Sequence, residues 1–135
     1  MGPSHVIVDA SALLAILFEE PVARKMENIL AETPDDLVMS PVNYLEAAVR
    51  VDQFKSEEKA RKFDALIQAA KIEIVPVTAE QAYLAREAYK RFGKGNHAAK
   101  LNLGDCFAYA LSKTRGEPLL LKGDDFRQTD VEAAL

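Results

Sequence analysis

The sequence predicts a three-layer α/β/α fold around a mostly parallel sheet of four to five strands. Three observations carry that expectation. Val6-Ile7-Val8 and Leu119-Leu120-Leu121 are short, unbroken apolar runs, as in strands covered on both faces. Between the strand candidates lie longer segments with apolar residues at helical spacing. The strands are too short and too far apart in the chain for hairpins, so helices must carry the connections. At 135 residues the chain reads as one domain over 1–135. Met1 to His5 reads partly as an expression remnant and carries no fold signal.

Val6 to Val8 form the first strand and end on Asp9. Ser11 is then the expected N-cap of a helix over about 12–19, and Pro21 the start of a second with Val22, Met26, Ile29 and Leu30 on one face. Thr33-Pro34-Asp35-Asp36 is a turn, and Leu37-Val38-Met39 a second strand. Ser40-Pro41 pairs a cap with proline at the first helical position. That helix should run to about Phe54, with Val42, Leu45, Ala48 and Val49 inward and Glu46 within their stripe. Ser56 caps a helix to about Lys71, with Ala60, Phe63, Ile67 and Ala70 inward. Ile72 to Val75 alternates and stops at Pro76, as a strand does. Thr78 with Gln81 is a capping box for a helix to about Phe92. After the loop Gly93-Lys94-Gly95-Asn96-His97, Asn102 caps a helix that Gly116-Glu117 ends. Leu119 to Leu121 is a buried strand, followed by the turn Lys122-Gly123-Asp124-Asp125. Asp130-Val131 is a candidate edge strand.

Composition narrows the function classes. No apolar run approaches the roughly 20 residues that span a bilayer. No charged leader with a small-residue cleavage site is seen, so no signal peptide is expected. The single cysteine, Cys106, lies in an apolar helical pattern and reads as a small buried hydrophobe. With no intrachain disulfide possible, a reducing cytoplasm is the expected location. A net charge of −4 argues mildly against a general nucleic-acid binder. Arg86, Lys90, Arg91, Lys94 and Lys100 nevertheless crowd one segment opposed only by Glu87.

The chemistry lies in the acids. Asp9 ends a buried strand, where ligands bind in open α/β sheets. An aspartate there also serves as a cap, but Ser11 already offers one. Glu46 in an apolar stripe would be desolvated unless it snorkels or pairs. Asp105 stands at the third position of its helix, where the dipole favours an acid. Asp124 and Asp125 follow a strand in a turn that also suits aspartate. Four carboxylates brought together repel one another unless cations neutralise them. Hard oxygen donors favour Mg²⁺ or Mn²⁺. Zinc is disfavoured, since Cys106, His5 and His97 show no ligand spacing. An acidic Mg²⁺ cluster suits phosphodiester hydrolysis. No P-loop and no G-x-S-x-G elbow is present.

Four stretches resemble the PIN-domain family, specifically the VapC toxins of type II toxin–antitoxin pairs. They are Val6 to Leu13, Ser40 to Glu46, Leu103 to Ala110, and Leu119 to Phe126. They stand in family order and cover nearly the whole chain. The resemblance implies a Rossmann-like sheet, Mg²⁺-dependent endoribonuclease activity, homodimerisation and inhibition by an antitoxin. Asp9, Glu46 and Asp105 match the family's main acids, with Asp9 and Asp105 expected on the metal. Asp124, rather than Asp125, is favoured as the fourth. Ser11 matches a small hydroxyl beside the site. Arg86, Lys90, Arg91 and Lys94 are candidates for guiding the RNA backbone, with a solvated helix face as the plain alternative. Asn43 reads as an ordinary surface residue, although it precedes Glu46 by nearly one turn.

Two rivals remain. A catalytically inactive PIN-like interaction module would act through dimer or antitoxin contacts, with Leu13, Leu14, Leu17 and Val22 as a docking face. The retained acid set speaks against it. A phospho-acceptor receiver domain would want paired acids after the first strand, and Asp9 stands alone.

Overall fold

The computed structural model describes residues 5–93, 95, 101–122 and 129–134. The elements in order are β1 (Val6–Val8), α1 (Ala10–Leu17), α2 (Ala23–Glu32), β2 (Leu37–Met39), α3 (Pro41–Asp52), α4 (Glu57–Ala70), β3 (Glu73–Ile74), α5 (Ala79–Phe92), α6 (Leu103–Arg115) and β4 (Leu119–Leu120). The sheet is four-stranded and parallel throughout, in the order β3-β2-β1-β4. β1 is therefore interior. Ile7 pairs with Val38 on one side and with Leu119 on the other.

The two-residue period of the strands sorts the core into two layers. Ile7, Val38 and Leu119 point to one face and pack against α5 and α6, through Ala85, Ala88, Phe92, Cys106, Tyr109 and Ala110. Val6, Val8, Leu37, Met39 and Leu120 point to the other face and meet Leu13, Met26, Ala47, Val51 and Phe63 of α1 to α4. Helices cover both faces, which explains why the central strands are apolar without alternation. The edge strand β3 has both residues exposed, in keeping with its alternating, partly charged sequence. Each fully buried Leu or Ile contributes about 1.5–3 kcal/mol relative to exposure.

Most caps stand where the sequence puts them. Ser40 Oγ accepts from the Val42 N–H at 3.2 Å with Pro41 at the helix start, and Ser56 Oγ accepts from the Lys59 N–H at 3.2 Å. Thr78 Oγ1 accepts from the Gln81 N–H at 3.1 Å. Gly116 closes α6 at φ 63°, a left-handed position that glycine adopts without strain.

Several expectations change. Asp9, not Ser11, caps α1: its backbone is extended and its Oδ2 accepts from the Ser11 N–H at 3.0 Å. Ser11 lies inside the helix, and its Oγ instead accepts from the Lys122 N–H at 2.9 Å. α2 starts after Val22 rather than at Pro21. Leu13 is fully buried, and Leu14, Leu17 and Val22 pack on the core, so the expected N-terminal docking face is largely spent internally. α3 is turned the other way from its predicted face. Asn43, Ala47 and Val51 are buried, while Leu45 and Val49 are 59% and 46% exposed. Asp130-Val131 is not a strand: among the described residues the tail pairs with the sheet through an isolated bridge from Leu119 to Ala133. Asp130 instead accepts from the Tyr109 hydroxyl at 2.6 Å and pairs with Lys113 at 3.1 Å.

The start of β1 is tied down by Glu117, which accepts from the His5 backbone N–H at 2.6 Å and from Arg115 Nε at 2.6 Å. Burial pushes the Glu117 carboxyl up, but the hydrogen bonds from Arg115 and His5 outweigh it and leave it below its ordinary value. A depressed carboxyl stabilises the fold above its unfolded pKa and loses that contribution as pH falls through the folded one. Glu117→Gln is therefore expected to lower the melting temperature near neutrality. The difference from wild type should shrink as pH falls below the ordinary glutamate range. An unchanged difference across that range would remove Glu117 from the acid response.

Candidate active site

The carboxyl ends of β1 and β4 open onto a cavity of about 280 Å³ lined by Asp9, Ala10, Ser11, Leu14, Glu46, Arg50, Asn102, Asp105, Leu121 and Lys122. Three of the acids singled out in the sequence, Asp9, Glu46 and Asp105, meet there from three separate elements. Each is placed by a local device. Asp9 is fixed by the strand behind it and by its bond to the Ser11 N–H, and it is only 4% exposed. Asp105 closes a capping box: its Oδ2 accepts from the Asn102 N–H at 3.0 Å, while Asn102 Oδ1 accepts from the Asp105 N–H at 2.8 Å.

Glu46 is placed by contacts between α3 and α6. The residue as a whole is exposed, but its carboxylate lies against Gly104. A Cβ on Gly104 would stand 2.6 Å from both Glu46 oxygens, so only glycine leaves room for them there. Asn43 is the strut beneath this contact. It is fully buried, not a surface residue, and its Nδ2 donates to the Gly104 carbonyl at 3.0 Å. Partial burial pushes the Glu46 carboxyl above its ordinary value, the Asp9 charge pushes it further, and a hydrogen bond from Asn43 opposes both.

Ser11 lines the cavity and joins α1 to the end of β4 through the Lys122 N–H. Asp124, Asp125 and Lys94 lie outside the described residues. Arg86, Lys90 and Arg91 are exposed on α5 and do not line the cavity. Lys90 pairs with Glu87 at 3.6 Å, and the Arg91 guanidinium sits 4.6 Å from the centre of the Phe92 ring. Among the described residues the cavity's cations are instead Arg50 and Lys122, which the sequence did not single out. Arg50 follows Glu46 by one helical turn, the spacing that puts two side chains on one face. Lys122 stands two residues beyond the end of β4.

Among the described residues no three His, Cys, Asp or Glu side chains form a group that holds a metal ion by itself. The donor set still fits a hard cation: all three acids are oxygen donors, and Mg²⁺ takes one or two carboxylates while keeping several waters. Cys106 offers no rival soft site. It is buried in the core, and burial, then the Asp105 charge, pushes its thiol up to about 11. No described helix is long and apolar enough to cross a membrane.

Residues 6–132 match the family described as PIN domain. The chain is 47% identical over 128 residues to the Ribonuclease VapC of Mycolicibacterium smegmatis, covering 95% of this chain and 98% of that protein. The fold is similar to that of Mycobacterium tuberculosis VapC20, a sarcin-ricin loop cleaving toxin, with a TM-score of 0.75 at 16% identity over 93% of this chain and 95% of that one. It is also similar to VapBC-5 from Mycobacterium tuberculosis, a member of the VapBC toxin–antitoxin family, with a TM-score of 0.66 at 21% identity over 97% of this chain and 94% of that one. An acid pocket at the end of a central parallel strand, in a chain matched over most of its length, leads to one assignment: the chain belongs to the PIN-domain family, among its VapC ribonucleases.

Proposed function

We propose that this protein is a divalent-metal-dependent endoribonuclease toxin, held in check by a cognate antitoxin. The observation that carries the reading is convergence: Asp9, Glu46 and Asp105 line one cavity in a chain 47% identical to a protein named a ribonuclease. In this reading Asp9 and Asp105 hold the principal Mg²⁺, for which Mn²⁺ can substitute. Glu46 and Asp124 complete the acidic set, with Asp125 the alternative to Asp124. A bound ion supplies a more acidic water and a counter-charge for the phosphoryl group. The chain's own part is preorganisation. The Ser11 and Asn102 N–H groups hold the Asp9 and Asp105 carboxylates before substrate arrives. Glu46, lining the same cavity as Asp9 and Asp105, is placed to position the attacking water.

The partners proposed are an RNA substrate, an antitoxin like those of VapBC complexes, and a second copy of the chain, all in the cytoplasm. The outward apolar edge of α3, Leu45 and Val49 with the 70% exposed Leu103, is surface that such a protein partner would cover. The test is cleavage of a mixed RNA pool by purified protein free of any co-purified antitoxin. Cleavage is expected in Mg²⁺ and not in EDTA, and light scattering should give twice the 14.9 kDa chain mass. Cleavage that survives EDTA would refute the metal-dependent reading. A folded preparation that cleaves nothing would favour the interaction module.

A further inference from the structure

Three carboxylates in one cavity repel the polyanion that the proposed reaction must bring there. An ion answers part of that repulsion; a fixed protein cation answers it without one. Among the described residues, two basic ones line the acid cavity, Arg50 and Lys122. Lys122 is already committed, since its Nζ is paired with Glu20. Arg50 makes no hydrogen bond or ion pair with another described residue, although three acids share its cavity.

Position singles out Arg50 further. A second, apolar trough of about 570 Å³ runs beside the acid cavity, lined by Val42, Leu45, Val49 and Leu103 among others. Glu46 and Arg50 belong to both. Arg50 thus stands at the rim where the acid cavity meets open surface, one turn along α3 from Glu46. Its guanidinium is permanently charged and presents a planar fork that matches two phosphate oxygens.

We propose that Arg50 is the phosphate-holding residue of this site, taking the non-bridging oxygens of the RNA phosphate that enters beside Glu46. The proposal rests on the ribonuclease reading but names a residue outside the acid set. It gives RNA attachment at the site to α3 rather than to the basic face of α5.

The experiment measures equilibrium binding of a fluorescent single-stranded RNA pool between 50 and 200 mM salt, in Mg²⁺ (assay conditions of about one decade in affinity per few phosphate contacts). It uses the full chain carrying Asp9→Asn, expected to suppress cleavage, with and without Arg50→Ala or Arg50→Lys. Arg50→Ala is expected to weaken binding by about tenfold, the loss of one charge-assisted contact. It should also flatten the plot of log affinity against log salt by about 0.7, the release of one counterion from a single strand. Arg50→Lys should keep the slope, because the charge remains. In the chain with Asp9 intact, Arg50→Lys should still slow cleavage, because the fork is lost. Equal affinity and slope with and without Arg50→Ala, both proteins melting at the same temperature, would overturn the proposal. Failure of the Asp9-intact protein to cleave RNA would instead sink the ribonuclease reading, and the salt slopes would still decide whether Arg50 holds phosphate.

Discussion

Asp9→Asn is expected to abolish Mg²⁺-dependent RNA cleavage while leaving the protein folded. Asp9 combines two duties that most substitutions would confound. Its Oδ2 caps α1 through the Ser11 N–H, and the same carboxylate faces the acid cavity at the end of β1. Asparagine caps a helix about as well as aspartate. It cannot supply the negative charge that a cation needs. If Asp9 is the metal ligand proposed above, losing its charge removes several kcal/mol of charge stabilisation, and each 1.36 kcal/mol is about tenfold in rate. A loss of at least about a hundredfold in kcat/KM is therefore expected. Asp9→Ala should be equally inactive and also less stable, by about 1 kcal/mol for the lost cap. Cleavage assays and thermal melts on the three proteins separate the effects. Near-normal cleavage by Asp9→Asn would remove Asp9 from the chemistry.

The second large effect is expected at Gly104→Ala, a change of one methyl group. The added carbon would stand 2.6 Å from both Glu46 oxygens, well inside contact distance. The obstacle is the end of a flexible side chain, so Glu46 swings away at little cost to the fold. Gly104 lies within the first turn of α6, where alanine is the better helix former by up to about 1 kcal/mol. The melting temperature should hold or rise. Activity should fall by about ten- to a hundredfold if Glu46 must sit where it does, a fraction of what general acid–base groups contribute. Loss of stability together with activity would mean that the backbone, not Glu46, had moved. Unchanged activity would show that Glu46 does not need its place against α6.

These two glycine and aspartate positions show what the sequence discloses and what it hides. β1, its terminal Asp9 and the Ser40-Pro41 and Asn102 helix starts are local signals, and local chemistry decides them. The orientation of α3 is not local. Val42, Leu45 and Val49 form one apolar stripe, and Asn43, Ala47 and Val51 form another at equally good helical spacing. The surfaces that α1, α4 and α6 offer decide which turns inward, and the buried stripe accommodates its asparagine because Gly104 offers it a carbonyl. The α1 cap was open for a similar reason. Asp9 and Ser11 are both good caps, and the extended backbone at Asp9 settles the matter. Arg50 and Lys122 show no motif of their own. Their place in the cavity follows from bringing α3 and β4 beside β1.

The order of the strands bears on when this protein becomes active. The cavity draws on Asp9, Glu46, Asp105 and Lys122, and Lys122 reaches it only once β4 has paired with β1 through Ile7–Leu119 and Val8–Leu120. A chain emerging from the ribosome presents β1, α1 and β2 well before β4. Domains fold largely as units, and pairings between distant segments form late. During synthesis Asp9 therefore waits beside an unfilled strand position, without the opposite wall of its cavity. A nascent chain has the first acid but not the site, which delays the proposed nuclease until β4 has been made and has paired with β1.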